Sequence, residues 1–304
     1  MSALTVHPGH PPGPQPVAEG LLTMLAVVTV CLLAAGYGRG VHELWARRGP
    51  GRVVPRWRVG AFGLGLLVVL GAEQGPGHRA AGSTFAGHMA QHMLLLLVAG
   101  PMLAAGAAGL PLSLVAPLPV RRLLARWRVA PWARRLRRPT GYALLAGGAQ
   151  TAVLWIWHLP GPYVAAVERP TVHAVEHLSL VAVAWSFWAP VLGSPRHRAP
   201  APVTVLLLVG SMLPASALGA VLTFAPEPVY PTAVLGADPL ADQQLAGLLM
   251  WAPMDVVVLV VALTVLLRWL VRMDRDRPDG LAGGPPRCGD APATTRAATE
   301  GMVR

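Results

Sequence analysis

Four histidines stand in two i,i+4 pairs: His88 and His92 in "FAGHMAQHMLLLLVAG", and His173 and His177 in "TVHAVEH". On a helix, residues i and i+4 stack on one face. At ~1.5 Å rise per residue, each pair spans ~6 Å along its axis. Two such pairs on facing helices can present four imidazoles to one site or to two adjacent sites. Met89 and Met93 run as a parallel stripe beside the first pair. Soft thioethers suit Cu(I), and imidazole suits copper, zinc and iron. Glu176 follows His173 by three residues, close enough to join either as a ligand or as an acceptor behind one. His158 closes another apolar run, "LWIWHLPGPY", while Glu73 ends a further one and Asp242, Gln243 and Gln244 open the last.

The elements that must position these residues are membrane helices. The chain of 304 residues is 54% hydrophobic and 13% charged, where a soluble domain carries about 25% charged residues. With a mean hydropathy of +0.50, this composition predicts an all-α integral membrane protein. A span needs ~20 mostly apolar residues. Seven stretches qualify, at 17–36, 57–74, 84–106, 141–158, 171–192, 203–224 and 242–272, and none alternates like a barrel strand. All 25 basic residues are arginine, and only Arg79 and Arg169 fall on one of the two sides that these spans define. This lopsided alternation predicts seven spans with the N-terminus outside and the C-terminus in the cytoplasm. It also turns the +11 net charge into a topology signal and excludes nucleic-acid binding. Residues 1–16 then form an extracytoplasmic tail, 17–272 the membrane domain, and 273–304 a disordered cytoplasmic tail rich in Gly, Pro, Thr and Ala.

This topology sorts the histidines. His88, His92, His158, His173 and His177 all fall in or near the outer leaflet, so the two pairs share one membrane side. Ionisable residues within spans are rare and usually functional, and a metal site is the leading explanation for the pairs. Taken alone, His158 reads as an interfacial residue and the methionine stripe as packing. The cysteines, Cys31 and Cys288, form no thiolate cluster, which excludes a cysteine-held zinc or iron–sulfur centre. "HAVEH" matches the H-x-x-E-H spacing of inverted zinc peptidases, a five-residue match without a catalytic frame around it. Asp255, in "MWAPMDVVVL", either relays protons or binds a cation, or else packs as a protonated, hydrogen-bonded side chain. The arginine-rich third loop, with Trp127 and Trp132, reads as a basic segment on the inner membrane surface, either a docking site or a topology anchor.

Three blocks together resemble the CtaG family of cytochrome c oxidase assembly factors, seven-span proteins of the bacterial plasma membrane. They are "FAGHMAQHMLLLLVAGPMLAAGAAGLPLSL", "LWIWHLPGPYVAAVERPTVHAVEHLSLVAVAWSFWAPVLG" and "DPLADQQLAGLLMWAPMDVVVL". The positions matching the family's polar pattern are His88, His92, His158, His173, His177, Asp242, Gln243 and Gln244; Met254 and Asp255 depart from it. The resemblance implies assembly of a haem-copper oxidase, with oxidase subunits and the bilayer as partners, no turnover chemistry and no small-molecule substrate. Joined to the residue chemistry, it predicts a copper site, Cu(I) first and zinc or haem behind it. The predicted ligands are His88, His92, His158, His173 and His177, supported by Met89, Met93, Glu176 and Asp242. The rival readings are a membrane haem protein, with one axial histidine from each of two helices, and a metal or proton transporter using Asp255.

Overall fold

The computed structural model of the chain describes residues 15–74, 84–129, 138–195 and 198–276. The expectations for residues 1–14 and 277–304, for His7, His10, His78, His197 and Cys288, and for Trp132 and its neighbouring arginines lie outside the described residues, while residues 273–275 of the expected C-terminal tail continue the last helix. The described chain is helical, with no strand among those residues. Helices occupy all seven apolar stretches: α1 (Gln15–Arg48), α2 (Arg56–Glu73), α3 (Phe85–Ala105), α6 (Pro139–Trp157), α8 (Pro170–Leu192), α9 (Ala201–Phe224) and α10 (Pro239–Arg275). Short helices α4 (Gly109–Val115), α5 (Leu118–Val129) and α7 (Pro160–Glu168) lie in the connections.

Five helices, α1, α3, α8, α9 and α10, are long and apolar enough to cross a membrane. Helix α2 holds Arg56, Arg58 and Glu73 within 18 residues. Helix α6 carries Gly147, Gly148 and Gln150 in its middle. Helix α1 runs twelve residues past its apolar stretch to Arg48. Glu43 holds that extension by i,i+4 pairs, 3.7 Å from Arg39 and 3.9 Å from Arg47. Large apolar side chains face outward along the helices, among them Leu25, Leu32, Leu67, Leu178, Leu213 and Val260, as a lipid-facing surface requires.

The chain divides into two units, residues 1–266 and 267–304. The second is described only over the end of α10, where Arg268, Arg272 and Arg275 are exposed.

Within the first unit α3 is the enclosed helix: 72% of its apolar window is buried, against 11% for α1. Small residues set its distance from its neighbours. A Cβ on Gly100 would stand 2.6 Å from the Cβ of Ala184 in α8, and one on Gly65 of α2 would stand 2.9 Å from Leu103. Close approach of this kind is how helices associate where lipid removes the hydrophobic drive between them.

Helix α3 widens to a π turn at Leu95–Ala99, where Gly100 N–H donates to Leu95 O. In that register the donor for Leu96 O is the residue five positions on, which is Pro101 and has no N–H. Trp188 of α8 fills the gap, its Nε1 donating to Leu96 O at 3.0 Å. The proline, the π turn and the indole are therefore one device that fixes the axial position of α3 against α8.

At the end of α3 distant from its histidines, Arg58 is buried and donates to Ala105 O at 3.0 Å and to Gly193 O at 3.3 Å. Arg198 also donates to Gly193 O, at 3.1 Å. Cationic side chains on the last carbonyls of α3 and α8 suit the negative ends of both helix dipoles.

Candidate metal centre

Helices α3 and α8 pack with their first turns side by side, so the two histidine pairs face each other. Ligand atoms of His88, His92, Glu176 and His177 lie within 4.8 Å of one another, and all four residues are buried. Glu176, fully buried on α8, sits between the α3 rings: His88 Nε2 is 3.4 Å from its Oε2 and His92 Nε2 is 3.5 Å from its Oε1. Neither contact is a hydrogen bond. His88 Nε2, His92 Nε2, His177 Nε2 and both carboxylate oxygens are buried without a hydrogen-bond partner. Unpaired atoms of this kind are few in a native interior, since each costs about 1–3 kcal/mol, and the others among the described residues include the scattered Gln91 Oε1 and Gln150 Oε1. Five converging on one point form a donor set that a cation satisfies.

His177 is oriented from behind. Its Nδ1 donates to Glu73 Oε1 at 2.6 Å, which in the neutral ring leaves Nε2 with its lone pair toward the cluster. A carboxylate behind a histidine fixes its tautomer and raises its basicity, an arrangement typical of metal ligands. Three imidazoles and one carboxylate suit a divalent ion such as copper or zinc, and copper heads the affinity order for such donors.

The other predicted residues surround this core. His173 is partly buried, with its ring centroid 4.1 Å from that of His177 and 5.3 Å from that of His88. His158, at the end of α6, is buried beside Met89: its Nδ1 is 2.7 Å from Leu154 O and its Nε2 is 3.1 Å from Met89 Sδ. Met93 is buried in the main apolar core. Asp242 acts on backbone, accepting from Phe85 N at 2.8 Å, Ala86 N at 2.9 Å and Gly236 N at 2.7 Å. It therefore caps α3 and ties the connection before α10 to it. Gln243 continues the tie, accepting from Val229 N at 2.6 Å and donating to Leu222 O at 3.3 Å. Gln244 donates to Ala225 O at 3.4 Å.

Aromatic rings close the centre at this end. Phe85, Tyr163 and Tyr230 are buried with ring centroids 4.6 to 4.9 Å apart. Tyr163 stands 5.7 Å from His88, and Tyr230 Oη donates to His158 O at 2.8 Å. Burial pushes both phenols above their ordinary range, so both stay neutral and Tyr230 acts as a hydrogen-bond donor.

In the sequence Glu73 carries no assigned role, and Glu176 stands open between ligand and outer acceptor. Glu73 was findable as a carboxylate ending an apolar run at the level of the histidines. Asp255 lies apart from the centre, taking the Ser216 hydroxyl at 2.7 Å and so linking α9 to α10.

The family model of the cytochrome c oxidase caa3 assembly factors (Caa3_CtaG) matches residues 35–272. The chain belongs to that family. The match takes in every residue of the cluster, from Glu73 to Asp242. It agrees with the resemblance carried by the three histidine, proline and glutamine blocks, and with the apolar helices it identifies a membrane protein of cytochrome c oxidase assembly. No curated protein matches the chain, and no solved structure does.

Proposed function

We propose that this assembly factor holds copper at His88, His92, Glu176 and His177 and delivers it to a copper centre of a haem-copper oxidase. In this reading the chain crosses the bacterial plasma membrane seven times, with its N-terminus outside. The arginine alternation supports that topology, and with it a cluster at the outer face. The observation that carries the reading is the convergence of five unpartnered buried nitrogen and oxygen atoms. The residues hold and hand over an ion, and the reading assigns them no turnover.

The same geometry weighs against the rivals. With the ligand atoms within 4.8 Å of one another and Glu176 between the α3 rings, a porphyrin has to displace the carboxylate to reach two axial histidines. A transporter needs a second station, and Asp255 is engaged by Ser216 on another pair of helices.

The test is metal analysis of the purified full chain and of the oxidase it serves. One copper per chain is expected at this centre, lost from it when His92→Ala and His177→Ala are combined. In cells carrying that variant, the oxidase should keep its haem and lose copper. Full copper binding together with a fully metallated oxidase in the double variant overturns the assignment, as does haem loss with copper retained. Reporter fusions at the helix connections check the orientation.

A further inference from the structure

We infer that Met89 and His158 form a second metal site, selective for a soft monovalent ion such as Cu(I), beside the three-histidine, one-carboxylate centre. The inference rests on the reading above only in taking copper as the cargo.

His158 Nδ1 lies 2.7 Å from Leu154 O. A carbonyl only accepts, so Nδ1 carries the proton, and in the neutral ring Nε2 carries a lone pair. That lone pair faces Met89 Sδ at 3.1 Å, and a thioether has no proton to offer. Two electron-pair donors therefore point at each other, with Met89 fully buried and His158 at 5% exposure. A cation held by both atoms turns this repulsion into ligation.

This pair is neutral, one imidazole and one thioether, and carries no carboxylate. Thioethers select Cu(I), whereas the carboxylate-bearing centre suits a divalent ion. The two donor sets thus sort copper by charge.

His92 joins them. Its ring centroid is 6.1 Å from that of His158 and 5.2 Å from that of His177, and both of its nitrogens are buried without a partner. A neutral ring carries one lone pair, so His92 lies where it can serve the carboxylate-bearing centre or an ion on Met89 and His158, one at a time. Leu154 O holds the His158 ring at its Nδ1, and Tyr230 holds the residue's backbone carbonyl.

X-ray absorption of the detergent-purified full chain tests the proposal, with one equivalent of Cu(I) or of Zn(II) as separate probes. The Cu(I) form should show a sulfur scatterer, and the Zn(II) form nitrogen and oxygen alone. Met89→Leu should remove the sulfur and weaken Cu(I) binding roughly tenfold or more, as loss of one soft ligand implies. Its Zn(II) affinity should stay unchanged, which also shows that the variant folds. Met93→Leu should keep the sulfur. His88→Ala combined with His177→Ala should lose Zn(II) yet retain sulfur-bound Cu(I), a result that upholds the soft site even where the delivery role fails. Absence of sulfur around Cu(I) in the unaltered chain, or its persistence in Met89→Leu, overturns the proposal.

Discussion

Replacing Glu73 by glutamine isolates the contribution of one charge to the centre. The glutamine Oε1 can still accept from His177 Nδ1, so the ring keeps its place while the negative charge behind it disappears. The 2.6 Å contact makes this a short, charge-assisted bond, and its loss lowers the basicity of the nitrogen on the far side of the ring. Outer partners of this kind are worth about 10–100-fold in metal affinity, or about 1.4–2.7 kcal/mol. The assay is a Zn(II) or Cu(II) titration against a chromophoric chelator, with stoichiometry followed separately. Glu73→Gln should weaken binding within that range at unchanged stoichiometry, and Glu73→Ala should weaken it further because the ring is also released. Thermal unfolding of the metal-free protein separates the two effects, since the same bond ties α2 to α8. An affinity unchanged in both variants refutes the reasoning, because a ligating His177 cannot be indifferent to the group that orients it.

Asp242→Asn removes a charged acceptor from three backbone N–H groups and should lower stability by about 1–3 kcal/mol, read as a fall in melting temperature. Gly100→Ala forces a Cβ to 2.6 Å from Ala184 and should destabilise by about 1–3 kcal/mol; metal affinity should fall with it, because α3 and α8 each supply ligands. Trp188→Phe leaves Leu96 O buried and unpaired, at about 1–3 kcal/mol, measured by unfolding. Asp255 lies ~20 Å along α10 from Asp242, where one charge acts on a divalent ion with about 1.7 kcal/mol at an effective dielectric of 20. In Asp255→Asn metal affinity should therefore change less than about twentyfold, whereas a relay through Asp255 predicts loss of ion flux in proteoliposomes.

Helical spacing makes each histidine pair's shared face legible in the sequence, but whether the two pairs meet depends on how α3 and α8 pack and was open there. Which face of α8 points inward was not legible either. A membrane helix is apolar all round, so its periodicity carries no orientation. The inward stripe of α8 is Glu176, Leu180, Ala184, Phe187 and Val191, and it brings the adjacent residues Glu176 and His177 to the centre while His173 stands toward its edge. That rotation is decided by contacts across the helix pair: the close approach at Gly100 and the Trp188 bond to Leu96 O. The π turn follows from Pro101 only once an acceptor five residues earlier is known to need a donor, and that donor is remote in sequence. Asp242 was correctly placed at the level of the histidines, but a carboxylate opening a helix does not show from its own neighbourhood that it caps a different helix.

The centre is assembled from helix ends, and this bears on the charge of the ion it can hold. Helices α3, α8 and α10 begin there, while α2 and α6 finish there. Each N-terminus is equivalent to roughly +0.5 charge and each C-terminus to roughly −0.5, so the five ends together leave only about +0.5. Against this stand three carboxylates, Glu73, Glu176 and Asp242, one already engaged with three N–H groups and another with His177. Protonated histidines can supply compensating charge, but at the expense of the lone pairs that make them ligands. A divalent ion neutralises most of the excess and leaves the three rings neutral, whereas a monovalent ion does half as much. Charge and donor type therefore agree: the carboxylate-bearing set favours the doubly charged ion, and a singly charged one is better matched by the uncharged sulfur and nitrogen of Met89 and His158.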